Sequence, residues 1–181
     1  MNIKGSVVIE VVKVIRKDKT GVFDKYLTGQ DREIISQKIL PSIWYPFETY
    51  KHCINAAFEV YAKKNPEILR EWGRNAAQAA MTTLYTAYVT GRDPLTFLNK
   101  YEMIHKSFLD FSRVEVIKEK ENQVLFKLHE MDPECVPFFY IIQGWLERGM
   151  ELCGAKNIKL EFISKSWEGN PETTLRISWT M

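Results

Sequence analysis

The apolar positions of this chain follow two different periods, and the change falls near residue 112. Before it they recur at helical spacing. Val7, Val8, Val11, Val12 and Ile15 pair at i and i+4 within Ser6–Ile15, which reads as a helix in spite of its β-branched content. Two short helical pieces follow, Asp24 to Leu27 and Arg32 to Leu40, separated by Thr28-Gly29. The segment Pro41 to Pro46 is a break. Pro46 suits the first turn of a helix and holds Tyr45 extended before it. From about Phe47 to Ala62 a helix sets Tyr50, Ile54, Phe58 and Tyr61 on one face. Asn65-Pro66 restarts the pattern, and Glu67 to about Val89 reads as the longest helix. Gly73, Ala76, Ala77, Ala79 and Ala80 at its middle let a neighbour approach closely. Gly91 ends it, and Asp93-Pro94 opens a helix from Leu95 to about Phe111.

After Arg113 the period becomes two. Val114 and Val116, then Val124, Phe126 and Leu128, alternate with charged residues across a polar Lys118–Gln123 connection, which predicts a two-stranded ribbon with one wet face. Asp132-Pro133 ends the ribbon. A helix from Cys135 to Cys153 follows, with Pro137 in its first turn and Gly154 as its cap, and then two strands, Lys159 to Ser164 and Thr173 to Thr180. The expected class is α+β: a helical N-terminal part over about 1–111 and a part over about 112–181 in which one helix crosses an antiparallel sheet of about four strands. At 181 residues the whole reads as a single ligand-binding-type domain. An aromatic-rich helix against a small sheet builds a sheltered space, not an exposed catalytic cleft.

Composition narrows the function classes. A net charge of +2 gives no basic face for nucleic acid. The nearest cluster, Lys13, Arg16, Lys17 and Lys19, is interrupted by Asp18 and sits at a helix end, where cations are favoured. Three widely spaced cysteines, Cys53, Cys135 and Cys153, form neither a disulfide framework nor a zinc set, so reduced thiols and a cytoplasmic location are expected. The N-terminal stretch lacks the features of a signal peptide. The longest apolar run, Val136 to Leu146, is too short to span a bilayer.

Candidate chemistry is sparse. His52, His105 and His129 fall in three elements without ligand spacing. Cys53 follows His52, but adjacent helical residues point about 100° apart. No nucleophile elbow, P-loop or dinucleotide fingerprint occurs. Glu59, Glu147 and Glu151 read as solvated helix faces, and Gly144 and Gly149 around Trp145 as tight packing. No catalytic residue, metal site or cofactor is expected. The aromatic residues are the remaining signal. Most must fill the core, and six are candidates to line an apolar cavity: Trp44, Tyr45, Trp72, Tyr88, Phe108 and Tyr140, with Trp44 and Tyr45 as a lid.

Four runs carry a resemblance: Ile39 to Phe47 with its Trp44-Tyr45-Pro46; Arg92-Asp93-Pro94; Gly144-Trp145-Leu146-Glu147 with Gly154-Ala155; and Gly169-Asn170-Pro171 to Trp179. Together they resemble an uncharacterised bacterial family of the superfamily that includes haem nitric-oxide-binding domains, 4-vinyl reductase domains and TRAPP vesicle-tethering subunits. The resemblance implies an α/β fold that holds a ligand between its helices and its sheet, often as a dimer. It also implies two departures. The haem-binding members' Tyr-x-Ser-x-Arg motif is missing, although His105 stands roughly where a proximal ligand would be. Lys165 and Thr173 stand near the places where 4-vinyl reductase-like members carry cysteines. Two readings stay open: a non-enzymatic sensor or binding domain for an apolar small molecule, acting through a homodimer or a partner protein, and a protein–protein interaction module with a filled core and no ligand. An empty or a filled space between helices and sheet separates them.

Overall fold

A computed structural model describes residues 1–91 and 93–181; Arg92, in the Arg92-Asp93-Pro94 run, lies outside the described residues. The chain opens with a strand that periodicity did not predict, β1 (Asn2–Lys4), which runs directly into α1 (Gly5–Lys17). Its partner is β2 (Trp44–Pro46), paired antiparallel with Ile3 opposite Tyr45. The helical part therefore carries a small two-stranded ribbon. Its cause is the extended conformation imposed before Pro46. An isolated bridge from Ile3 to Leu109 and two hydrogen bonds from Asn2 to the Asp110 carboxylate, both 2.6 Å, tie β1 to the far end of the helical part.

Between α1 and β2 lie a short 3-10 turn at Asp24–Tyr26 and α2 (Gly29–Ser36). Thr28-Gly29 is thus the start of a helix rather than a separator. Thr28 caps Asp31 and Asp31 caps Thr28 in return, a reciprocal box that periodicity alone does not reveal. Then come α3 (Phe47–Val60), α4 (Pro66–Met81), the four-residue α5 (Thr86–Val89) and α6 (Pro94–Phe108). The predicted long helix from Glu67 to Val89 is two helices. The Thr82 and Thr83 hydroxyls bond back to carbonyls of Gln78 and Ala79, and the helix stops there.

The second part follows the expected order. β3 (Arg113–Lys120) and β4 (Gln123–His129) form the ribbon, α7 (Val136–Leu152) crosses it, and β5 (Lys156–Ser164) and β6 (Thr173–Thr180) complete an antiparallel sheet in the order β3-β4-β6-β5. Buried Val114, Val124, Phe126, Leu128, Leu175 and Ile177 form its inner face. The class is α+β with four strands in this sheet, as the sequence implies.

The most extensive helix–helix contact joins α4 to α7. Glycines permit it. A Cβ on Gly144 would fall 1.9 Å from the Arg70 carbonyl oxygen, and one on Gly73 would fall 2.0 Å from that of Ile141. The two backbones touch through reciprocal gaps. Around this contact Glu147 accepts from Arg70 at 2.6 and 2.8 Å and pairs with Arg74 at 3.1 Å, while Glu151 takes Arg74 and Arg148. Glu147 is 8% exposed and gripped by cations, not a solvated helix face as its spacing suggested.

Candidate functional site

The place to look for a ligand is the seam where α6 and α7 meet the sheet. Helical spacing on α6 aims Phe97, Tyr101, Ile104 and His105 inward, and α7 contributes Trp145 and Leu146. Trp145 packs parallel to Phe97 with centroids 6.3 Å apart, and edge-on to Tyr101 and Phe108 at 5.4 and 6.0 Å. Tyr101 continues to Phe126 on β4 at 5.3 Å. Trp145 is buried as expected, but its ring contacts are with α6, and it is Tyr101 that bridges to the sheet.

His105 is 1% exposed, its ring 5.9 Å from that of Tyr101. Its Nε2 lies 2.6 Å from the Ser112 hydroxyl, on the turn between α6 and β3. Burial pulls the imidazole down to about 4, with Glu102 opposing and Lys106 adding to the shift. A neutral ring with this hydrogen bond is a packed, satisfied core histidine.

The side chains around it are closely packed. A side chain bordering a void wide enough for water exposes surface to that void. Phe97, Ile104, Phe126, Leu146, Leu175 and Ile177 expose none. The buried side-chain nitrogen and oxygen atoms of the described residues all have hydrogen-bond partners.

Other titratable clusters hold elements together. His52 turns its Nδ1 to Asp31 at 2.8 Å and its Nε2 to Glu48 at 3.3 Å, while Cys53 points into the core. Burial would raise the Asp31 carboxyl, yet hydrogen bonds from Thr28, Thr49 and His52 hold it below its ordinary value. Lys51, buried on α3, reaches Asp132, Glu134 and Glu48 at 2.9, 2.9 and 3.0 Å. Its desolvation opposes the charge, but the three carboxylates prevail and raise its pKa. His129 lies between Glu115 and Glu172 at 3.0 and 2.7 Å. The thiols are inert: burial pushes Cys53 to about 12 and Cys153 to about 11, and raises Cys135 as well. Among the described residues, no group of three or more His, Cys, Asp or Glu side chains could hold a metal ion.

The six candidate aromatic residues do not gather around one space. Trp44 is exposed on the ribbon with the Lys4 ammonium 4.0 Å above its ring. Tyr45 faces inward against Gly5 and accepts a hydrogen bond from the Leu40 amide at 2.9 Å. Trp72 lies beside Tyr61 on the outer side of α4 at 5.5 Å, and Tyr140 beside Phe162 and Trp167 at 5.6 and 6.1 Å. Only Tyr88 and Phe108 are brought near each other, both against Tyr85 at 5.8 Å. Two open depressions lie on the surface of α4. One of about 470 Å³ is lined by Tyr61, Glu67, Ile68, Glu71 and Trp72, and one of about 260 Å³ by Glu71, Arg74, Asn75, Gln78 and Arg148. Trp72, a cavity candidate by sequence, lines the first of these on the surface, beside Tyr61.

The sequence matches no family model and no curated protein. The fold does have solved counterparts. A Cs H-NOX carrying 4-cyano-L-phenylalanine aligns with a TM-score of 0.69 and 18% identity, over 98% of this chain and 97% of that one. An oxygen-binding H-NOX domain related to soluble guanylate cyclases aligns at 0.65 and 17%, over 98% and 95%. An Fe(II) unliganded H-NOX mutant from K. algicida aligns at 0.69 and 16%, over 98% and 97%. The chain therefore has the H-NOX fold across nearly its whole length.

Solved structures of this fold include ones described by their heme distortion and heme redox potential. A haem held through His105 would need a free imidazole nitrogen and a slot as wide as a porphyrin. Here the His105 Nε2 is engaged by Ser112, and the rings of Phe97, Tyr101, Phe126 and Trp145 occupy the seam. The residues present do not fit the group.

Proposed function

We propose that this chain is a non-enzymatic, haem-free binding module on the H-NOX fold, which acts by contact with a partner protein. One observation carries the reading: the seam between helices and sheet is filled by the protein's own side chains, with His105 closed onto Ser112. The surroundings support it. Carboxylates and cations are paired into ties between elements, and the protonated thiols supply no nucleophile. No constellation joins a nucleophile, a base and an oxyanion site. The module is taken as the whole of residues 1–181, in a reducing, cytoplasmic setting suited to three free thiols. Among the described residues no helix is long and apolar enough to cross a membrane.

The test is the absorption spectrum of protein expressed with added haem precursor and of purified protein titrated with haemin. A spectrum without a Soret band is expected. A Soret band that disappears in His105→Ala overturns the proposal.

A second reading, an apolar small-molecule sensor, is favoured by one observation. A chain of rings runs from the surface inward: Tyr88 to Tyr85 at 5.8 Å, Tyr85 to Phe108 at 5.8 Å, and Phe108 to Trp145 at 6.0 Å. The outer end sits on and beside the short helix α5. Lifting α5 would uncover an apolar path to the seam. Native mass spectrometry separates the readings: a co-purified apolar molecule supports the sensor, and an unliganded mass supports the partner-binding module.

A further inference from the structure

The aromatic notch on α4 has a chemistry that the filled core does not explain. Tyr61 ends α3 and is 56% exposed, and its ring leans over Trp72 at 5.5 Å with the planes 40° apart. The turn that brings them together is unusual. Lys63 and Lys64 are consecutive non-glycine residues with φ of 50° and 60°, and the Lys64 amide returns to the Phe58 carbonyl at 2.9 Å. Backbone conformations of this kind persist only where the surrounding structure holds them. Two electron-rich faces are thereby opened to solvent beside Ile68, with Glu67 and Glu71 at the rim.

The rim carboxylates are only partly balanced. Arg70 touches Glu67 at 2.9 Å but sends two nitrogens to Glu147 on α7. Arg74 meets Glu71 only at 3.5 Å and gives its hydrogen bonds to Glu151. With Arg148 bonded to Glu151, three arginines face four glutamates, which leaves one negative charge in excess within this network. Lys64 is paired to Glu59 at 3.1 Å, and Lys63 is exposed on the turn. The second depression shares Glu71 and continues the trough along α4 past Asn75 and Gln78, with Arg74 and Arg148 in its wall.

Aromatic faces with carboxylates at the rim attract an organic cation, because the ring quadrupole and the carboxylate charge add at the same point. We infer that the Tyr61–Trp72 notch is the docking site for a basic segment of a partner protein, with an arginine or lysine side chain seated against Trp72 between Glu67 and Glu71. This rests on the reading of the chain as a partner-binding module and names the chemistry of the partner. The trough beyond Glu71, where Arg74 and Arg148 donate, takes the segment's backbone carbonyls and leaves its basic side chains at the notch.

The experiment uses the full chain, ¹⁵N-labelled, and the peptide acetyl-Gly-Arg-Leu-Arg-Gly-amide. The control peptide has citrulline in place of both arginines, which keeps the shape and removes the charge. A saturable shift centred on the Trp72 indole N–H is expected, assigned by its loss in Trp72→Phe. It should weaken about fivefold in the Glu67→Gln/Glu71→Gln variant and on raising the salt. A thermal unfolding curve of the double variant that matches the parent shows that the fold is intact. An equal response to the citrulline peptide, an unchanged affinity in the double variant, or no saturable shift at Trp72 overturns the inference. Peptide binding elsewhere with a silent Trp72 sinks the notch and leaves the module standing. A His105-dependent Soret band sinks the module whatever the notch does.

Discussion

His105 and Ser112 meet at 2.6 Å across the turn that carries the chain from its last N-terminal helix into the sheet. Ser112 takes a left-handed φ of 61° to do so. The imidazole thus acts as a rivet between the two parts, and it does so as the neutral species.

Acid should loosen this rivet. The folded His105 titrates near 4 and its ordinary value is 6.5, so between them the unfolded chain holds the extra proton. The stabilisation is whole above about 6.5 and is lost as pH falls towards 4, with an upper limit of about 3 kcal/mol for a shift of this size. Carboxylates held low, such as Asp31 and Glu151, weaken the fold only at lower pH. Urea midpoints from pH 7 to 5 should fall more steeply for the parent than for His105→Gln. Parallel profiles would show that His105 is not the group.

Truncating Trp145 removes the hub of the aromatic seam. Trp145→Ala should cost about 3–5 kcal/mol, read as a shift in the chemical denaturation midpoint. An unchanged midpoint would place the ring outside the core, against its 6% exposure.

Gly144→Ala should be costly for a different reason. The added methyl meets the Arg70 carbonyl, which is backbone and cannot swing away. A loss of about 1–3 kcal/mol or more is expected. Gly169→Ala is the comparison. Its Cβ meets nothing within 4 Å, so its cost reflects the left-handed φ of 91° alone.

The thiols offer a chemical check. Cys53, Cys135 and Cys153 are buried with raised pKa values, so a thiol reagent at neutral pH should leave them intact in the native protein and titrate all three in denaturant. Rapid native labelling of one of them would reveal an opening at its element.

The switch of period at Arg113 was legible because each side of a strand or helix faces one environment only, so α7 and the strands fell close to their expected bounds. The β1–β2 ribbon was not. Three residues of strand are too few to show a period, and their pairing joins Ile3 to Tyr45 across the whole of α1 and α2. The break in the long helix escaped as well, since Thr82 and Thr83 are acceptable in a helix until their hydroxyls are seen bonding to the carbonyls behind them. At the candidate site the sequence named aromatic residues but not their faces. Trp72 and Tyr140 are both half-buried on their helices, and which neighbours their rings meet depends on the element packed beside them. The pairing of Glu147 was hidden for the same reason: its partners Arg70 and Arg74 stand 77 and 73 positions away.

The reciprocal seating of Gly73 and Gly144 has a mechanical meaning. Two helices whose backbones interlock cannot slide or roll against each other without a collision, so α4 and α7 behave as a single girder. Whatever touches the outer edge of α4 at Trp72 pushes on the same beam that carries Trp145 on its opposite flank.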